Sequence, residues 1–178
     1  MVNILTIGHS THPIDDFLGI LAAHGIEQLA DVRTIPKSRR NPQFNKDELE
    51  DALAVENIKY LHLPGLGGLR HPRKNSINTA WQNASFRGYA DYMQTPDFEK
   101  NLRELIRYAD QNRTVVMCAE SVPWRCHRSL IADALAARGI SVEHIMSKTT
   151  GKPHTFTPFA KIEGKKVTYP GLEDLAKD

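Results

Sequence analysis

The sequence predicts an α/β fold: a Rossmann-like parallel sheet of about five strands flanked by helices, with a small C-terminal hairpin extension. Three observations carry that expectation. Apolar runs of strand length alternate along the chain with segments of helical spacing. Polar, glycine and titratable residues follow the strands rather than precede them. The clearest run, Thr114-Val115-Val116-Met117-Cys118, is apolar without alternation, as a strand buried on both faces of a parallel sheet requires.

Val2 to Ile7 is a short apolar run closed by Gly8 and reads as the first strand. Ile14, Phe17, Leu18 and Leu21 follow at helical spacing, with Thr11 or His12 near the cap, Pro13 in the first turn and His24-Gly25 as the stop. Gln28 to Val32 reads as the second strand. Thr34 to Asn45 is a polar loop interrupted by prolines, and Lys46 to Glu56 is an amphipathic helix with Leu49, Ala52 and Leu53 inward. Ile58 to Leu63 predicts a third strand that ends in a flexible loop, Pro64-Gly65-Leu66-Gly67-Gly68. Arg70 to Ser85 reads as a polar insertion with little structure of its own, a type of segment that is usually functional or mobile. Arg87 to Met93 and Pro96 to Ala109 predict two helices. After the strand ending at Cys118, the loop Ala119 to Arg125 leads into a helix from Cys126 to Arg138, with Leu130, Ile131, Ala134 and Leu135 inward and Gly139 as its stop. Ser141 to Met146 predicts the fifth strand, and Phe159 to Tyr169 a hairpin around Glu163-Gly164.

A chain of 178 residues suits one domain, residues 1–178, with a core over 1–147 and an extension over 148–178. The formal net charge is +2, too small for bulk electrostatics to announce a nucleic-acid or membrane binder. No apolar stretch approaches the roughly 20 residues of a membrane helix, and the first residues lack a basic leader, so a cytoplasmic protein without membrane contact is expected. Two cysteines give no disulfide framework. No Gly-x-Gly-x-x-Gly opens the first helix and no Walker sequence occurs, which disfavours nicotinamide and ATP-loop chemistry; no cofactor is expected.

In open α/β sheets, ligands bind outside the carboxyl ends of the strands. There the sequence places Gly8-His9-Ser10, Asp31-Val32-Arg33, the glycines at 65, 67 and 68, and Cys118-Ala119-Glu120 with Cys126-His127-Arg128. Thr6-Ile7-Gly8-His9-Ser10, Asp31-Val32-Arg33, Leu63-Pro64-Gly65-Leu66-Gly67-Gly68 and the late cysteine motif, occurring in that order, resemble family 488 of the domains of unknown function. The resemblance spans Ile4 to Ile145 and supports one domain, and it implies no activity, substrate or catalytic residue.

The residues themselves suggest chemistry. Cys126-His127-Arg128 opens a helix whose free N–H groups and dipole favour an anion, and Arg125, Arg128, Arg33 and Arg39 add charge. The structural alternative is that Arg128 pairs with Glu120 or Asp31. Cys126 is a candidate nucleophile, since a helix N-terminus beside Arg and His lowers a thiol pKa, whereas Cys118 reads as a buried structural thiol. The phosphatase spacing of Cys, five residues and Arg is absent, and a zinc site drawn from Cys118, Cys126, His127 and His9 fits no close-paired ligand pattern. Asp31, Glu120 and His9 are candidates for proton transfer, and Tyr89 is among the aromatics placed to line the crevice. Together these predict a hydrolase or transferase for an anionic, nucleotide-like or nucleic-acid-derived substrate. The alternatives are a non-catalytic nucleic-acid or ligand-binding sensor domain that uses the same crevice, and a redox protein working through the two cysteines.

Overall fold

The computed structural model describes residues 2–175; Met1 and residues 176–178, part of the expected domain and its extension, lie outside the described residues. Five strands run parallel: β1 (Asn3–Gly8), β2 (Gln28–Asp31), β3 (Lys59–His62), β4 (Thr114–Cys118) and β5 (Ser141–Ile145). Helices α1 (Ile14–Ala23), α2 (Lys46–Val55), α3 (Ala84–Tyr92), α4 (Pro96–Gln111) and α5 (Arg128–Ala137) connect them. The Rossmann-like α/β fold is thus as the sequence predicts.

A sixth strand, β6 (Gly151–Pro153), adds antiparallel to β5 and makes the sheet order β3-β2-β4-β1-β5-β6. Its three residues carry no apolar signal, and an edge position tolerates Pro153. The C-terminal hairpin consists of β7 (Lys161–Glu163) and β8 (Lys166–Thr168), and Gly164 takes the positive φ its turn needs. A short helix, α6 (Leu172–Leu175), follows.

Strand alternation divides the core in two. Ile4, Ala30, Val116 and Val142 face α3, α4 and α5, packing on Tyr89, Leu102 and Leu130. Leu5, Leu29, Val115 and Met117 face α1 and α2, packing on Phe17, Leu21, Leu49 and Leu53. Asn83 caps α3 by accepting hydrogen bonds from the N–H groups of Ser85 and Phe86, so this helix starts three residues before the expected Arg87. The fifth helix begins at Arg128 rather than Cys126, with His127 as its N-cap.

Two segments expected to be loose are tied down. Pro64–Leu66 forms a 3-10 turn with Leu66 buried, and the hydroxyls of Tyr92 and Tyr89 donate to the carbonyls of Gly65 and Leu66. The irregular stretch after Arg70 is gathered by the buried carboxylate of Asp91. It accepts from the Arg73 N–H (2.8 Å), Ser76 Oγ (2.6 Å) and Asn78 Nδ2 (2.8 Å).

Candidate functional site

Between β1 and β4 the chain departs in opposite directions, through α1 toward β2 and through α5 toward β5, so their carboxyl ends form the topological switch point. The main chain fills that gap. The N–H groups of His9 and Ser10 donate to the carbonyls of Cys118 and Ala119, both at 2.9 Å. A Cβ on Gly8 would overlap the Glu120 carbonyl and crowd the Arg128 guanidinium, so the close approach of the two strand ends requires glycine. Ser10 holds a positive φ of 48° in this crossing.

Strand register then separates the predicted residues. Ile7, Asp31 and Met117 lie on the α1–α2 face, whereas Cys118, paired with Gly8, faces α5. On the first face, Asp31 is fully buried and accepts from Arg33 Nε (2.9 Å), Arg33 Nη2 (2.7 Å), the Arg33 N–H (3.1 Å) and the Tyr60 hydroxyl (2.6 Å). Burial, then the Asp31 hydrogen bond and charge, pushes the Tyr60 hydroxyl pKa well up. Both Asp31 oxygens are engaged, and their effect is to fix Arg33. Arg33 Nη2 also donates to the Phe44 carbonyl, while its buried Nη1 has no partner. His9 stacks on Phe44 with ring centroids 4.3 Å apart, and its Nδ1–H donates to the Ser10 carbonyl. Its buried Nε2 is unpartnered, and desolvation, reinforced by Arg33, lowers its pKa.

On the other face the two cysteines are partners. Burial opposes ionisation of Cys118, but the Cys126 thiol, the Arg128 charge and the Glu120 main chain outweigh it and hold its pKa below that of an ordinary thiol. Cys126 moves the other way, raised by its hydrogen bond to Cys118, by burial and by the charge of that sulfur. The sequence names Cys126 as the candidate nucleophile; these electrostatic contributions favour the thiolate at Cys118. Arg128 is fully buried. Its Nη1 donates to Cys118 Sγ (3.5 Å) and the Glu120 carbonyl (3.0 Å), and its Nη2 to the Ser121 carbonyl (2.8 Å). It braces the loop after β4 and does not reach outward. His127 donates from Nε2 to the Val32 carbonyl (3.0 Å), which leaves Nδ1 facing Cys126 Sγ at 3.5 Å; burial lowers its pKa to about 4, so the ring is neutral.

The two faces meet at a cavity of about 470 Å³ one strand away from the switch point, between the ends of β2 and β4. Of the predicted residues it takes Arg33, Gly68, Cys118, Glu120, Arg125, Cys126 and His127. Gly8, His9, Ser10, Asp31, Gly65, Gly67, Tyr89 and Arg128 stand behind this wall or support it, and the exposed Arg39 lies outside its lining. Tyr89 is buried against the His127 ring. Sequence reasoning missed Thr34, Ile35, Lys37, Leu69, Asn83 and Ser85 as lining residues. The basic cluster around Lys37 and the Asn-x-Ser start of α3 were visible, but nothing local shows that they face β4. Among the described residues no group of three His, Cys, Asp or Glu side chains is disposed to hold a metal ion, and no helix is long and apolar enough to cross a membrane.

A family model described as "Domain of unknown function DUF488" matches residues 13–135, from the start of the first helix to within α5. No curated protein and no solved structure matches the chain.

Proposed function

The chain belongs to the DUF488 family, and from that premise we propose that the cavity beside β2 and β4 is the active site of a hydrolase or transferase for an anionic, nucleotide-like or nucleic-acid-derived substrate. The observation that carries this reading is the convergence of two groups on one cavity: the Cys118 sulfur, braced by Arg128 and Cys126, and Arg33, whose buried Nη1 lacks a partner. A buried donor without an acceptor costs stability, and an anionic oxygen would relieve it. Lys37 and Arg125 add exposed positive charge to the lining, and Leu69 and Phe86 supply an apolar wall for a ring.

In this reading the Cys118 thiolate forms a bond to the electrophilic atom of the substrate, and the leaving group departs with the bonding electron pair. Glu120, exposed at the cavity, gives the leaving group a proton and takes one back from water, or from an acceptor hydroxyl in a transferase. That oxygen then displaces the sulfur and restores the thiolate. Asp31 positions Arg33.

The test is turnover of a panel of nucleotides and phosphate and carboxylate esters, read with intact-mass detection of a covalent adduct. Cys118→Ser is expected to lower the rate by roughly a hundredfold or more and to abolish the adduct. Full turnover in Cys118→Ser would remove the nucleophile. A second reading, a non-catalytic nucleic-acid or ligand-binding sensor domain, is favoured by the exposed Lys37, Arg39 and Arg40 on one loop. Oligonucleotide affinity that falls steeply with salt, in a chain with no turnover, would select it.

A further inference from the structure

On the other side of the Pro123–Arg125 turn lies a second cavity, of about 330 Å³, that the proposed chemistry does not use. The turn sends Arg125 to the first cavity and Pro123 and Trp124 to this one. Four exposed large apolar side chains, Trp124, Met146, Phe156 and Phe159, gather around it, although exposed side chains of this type are normally scattered singly. The volume lies at the small end of the range for organic ligands.

The polar groups here are few and specific. Trp81 is set by edge contacts to Phe159 (4.9 Å) and Tyr169 (5.6 Å), and its buried Nε1–H has no acceptor. Lys152 stands 6.0 Å from the centre of the Trp124 ring and is the only formally charged lining residue; among the described residues no Asp or Glu lines the cavity. The floor is saturated. Thr6 Oγ1–H donates to His144 Nδ1 (2.6 Å), His144 Nε2–H to His154 Nδ1 (2.9 Å), and His154 Nε2–H to Asp133 (2.8 Å). The Tyr169 and Thr157 hydroxyls each donate to the other Asp133 oxygen at 2.7 Å. This relay has no spare imidazole nitrogen, so besides aromatic faces and the Thr155 hydroxyl the cavity offers two indoles, of which Trp81 has the buried unpartnered N–H, and one cation.

We propose that this second cavity binds an anion bearing a planar heteroaromatic ring, of the nucleoside-monophosphate class, its ring against the aromatic walls, a ring acceptor on Trp81 Nε1–H and its anionic group on Lys152. Stacking on aromatic side chains tolerates many heteroaromatic rings, and a lone lining cation, with the Asp133 carboxylate held behind the floor by its own hydrogen bonds, favours an anion over neutral and cationic ligands. The site is separate from the thiol cavity and stands whether or not Cys118 is a nucleophile.

The chain contains two tryptophans, Trp81 and Trp124, and both line this cavity, so intrinsic fluorescence reports on it directly. Titration of the full chain with adenosine monophosphate is expected to give saturable quenching. Adenosine should bind about tenfold more weakly, and inorganic phosphate should give no quenching. Lys152→Ala should weaken the monophosphate about tenfold and leave adenosine unchanged, with Lys152→Arg restoring binding. Lys152 is exposed, and an unchanged circular dichroism spectrum verifies that the variants fold. Absence of saturable quenching, equal monophosphate affinity in Lys152→Ala, or loss of quenching in Lys37→Ala but not in Lys152→Ala would overturn the proposal; the last would place the ligand in the thiol cavity.

Discussion

At Cys118, three neighbours reverse what burial alone would do to a thiol, and their effect is measurable without a substrate. Alkylation by iodoacetamide across a pH series, read by peptide mass spectrometry, should place the Cys118 midpoint below the usual value of about 8.5 and that of Cys126 above it. The opposite order would move the thiolate to Cys126. Asp31 and Arg33 form the other residue-scale unit, a buried ion pair at 2.7 Å that also holds the Tyr60 hydroxyl and the N–H of Arg33. Removing one member leaves a buried charge uncompensated, so Asp31→Ala should cost about 3–5 kcal/mol in urea denaturation. That single variant also tests the positioning role, because a carboxylate free to transfer protons would not be bound this tightly. The residue types at both clusters were legible in the sequence. Their division of labour was not, since it depends on which atoms of Arg33 and Arg128 are already taken.

At the level of elements, the contact between the ends of β1 and β4 is set by the missing side chain of Gly8. Gly8→Ala must displace the Glu120 carbonyl and also shift the Arg128 guanidinium, and should destabilise the protein by roughly 3 kcal/mol or more, read as a lowered Tm. The stretch between Gly68 and α3 is held by another device. Asp91 gathers Arg73, Ser76 and Asn78, and Asn78 in turn accepts from the Tyr169 N–H, linking the long loop to the C-terminal extension. Asp91→Ala strands those donors at a cost of about 1–3 kcal/mol each where they stay buried. Tryptic cleavage after Arg73 or Lys74 should then outpace that of the unaltered chain. Helix and strand identities were readable because periodicity and capping are local signals. The anchoring of this loop was not, because Asp91 lies on a helix face that by spacing alone is merely polar.

For the whole molecule, three histidines whose pKa is lowered on folding, His9, His127 and His144, couple folding to pH. His127 is lowered to about 4 and His144 to about 3, in both cases chiefly by desolvation. Unfolded histidine takes up a proton near 6.5 and the folded rings do not. The unfolded state therefore binds more protons as pH falls below about 6.5, and the stabilisation present above that value is lost progressively toward pH 4 and below. The loss should approach at most about 1.4 kcal/mol per pH unit for each ring, and urea titrations at pH 7, 6 and 5 should show it. His144→Gln would flatten the slope. By itself, the sequence determined the order and type of the main strands and helices and the end of the sheet where polar residues collect, because apolar period, capping residues and glycine stops act over a few neighbours. Only the tertiary structure decided that the strand ends at β1 and β4 close on each other, that Cys118 rather than Cys126 carries the lowered pKa, and that two separate cavities flank the turn at Pro123. Those outcomes depend on register between strands distant in sequence, which sets the face each side chain takes and the partner it meets.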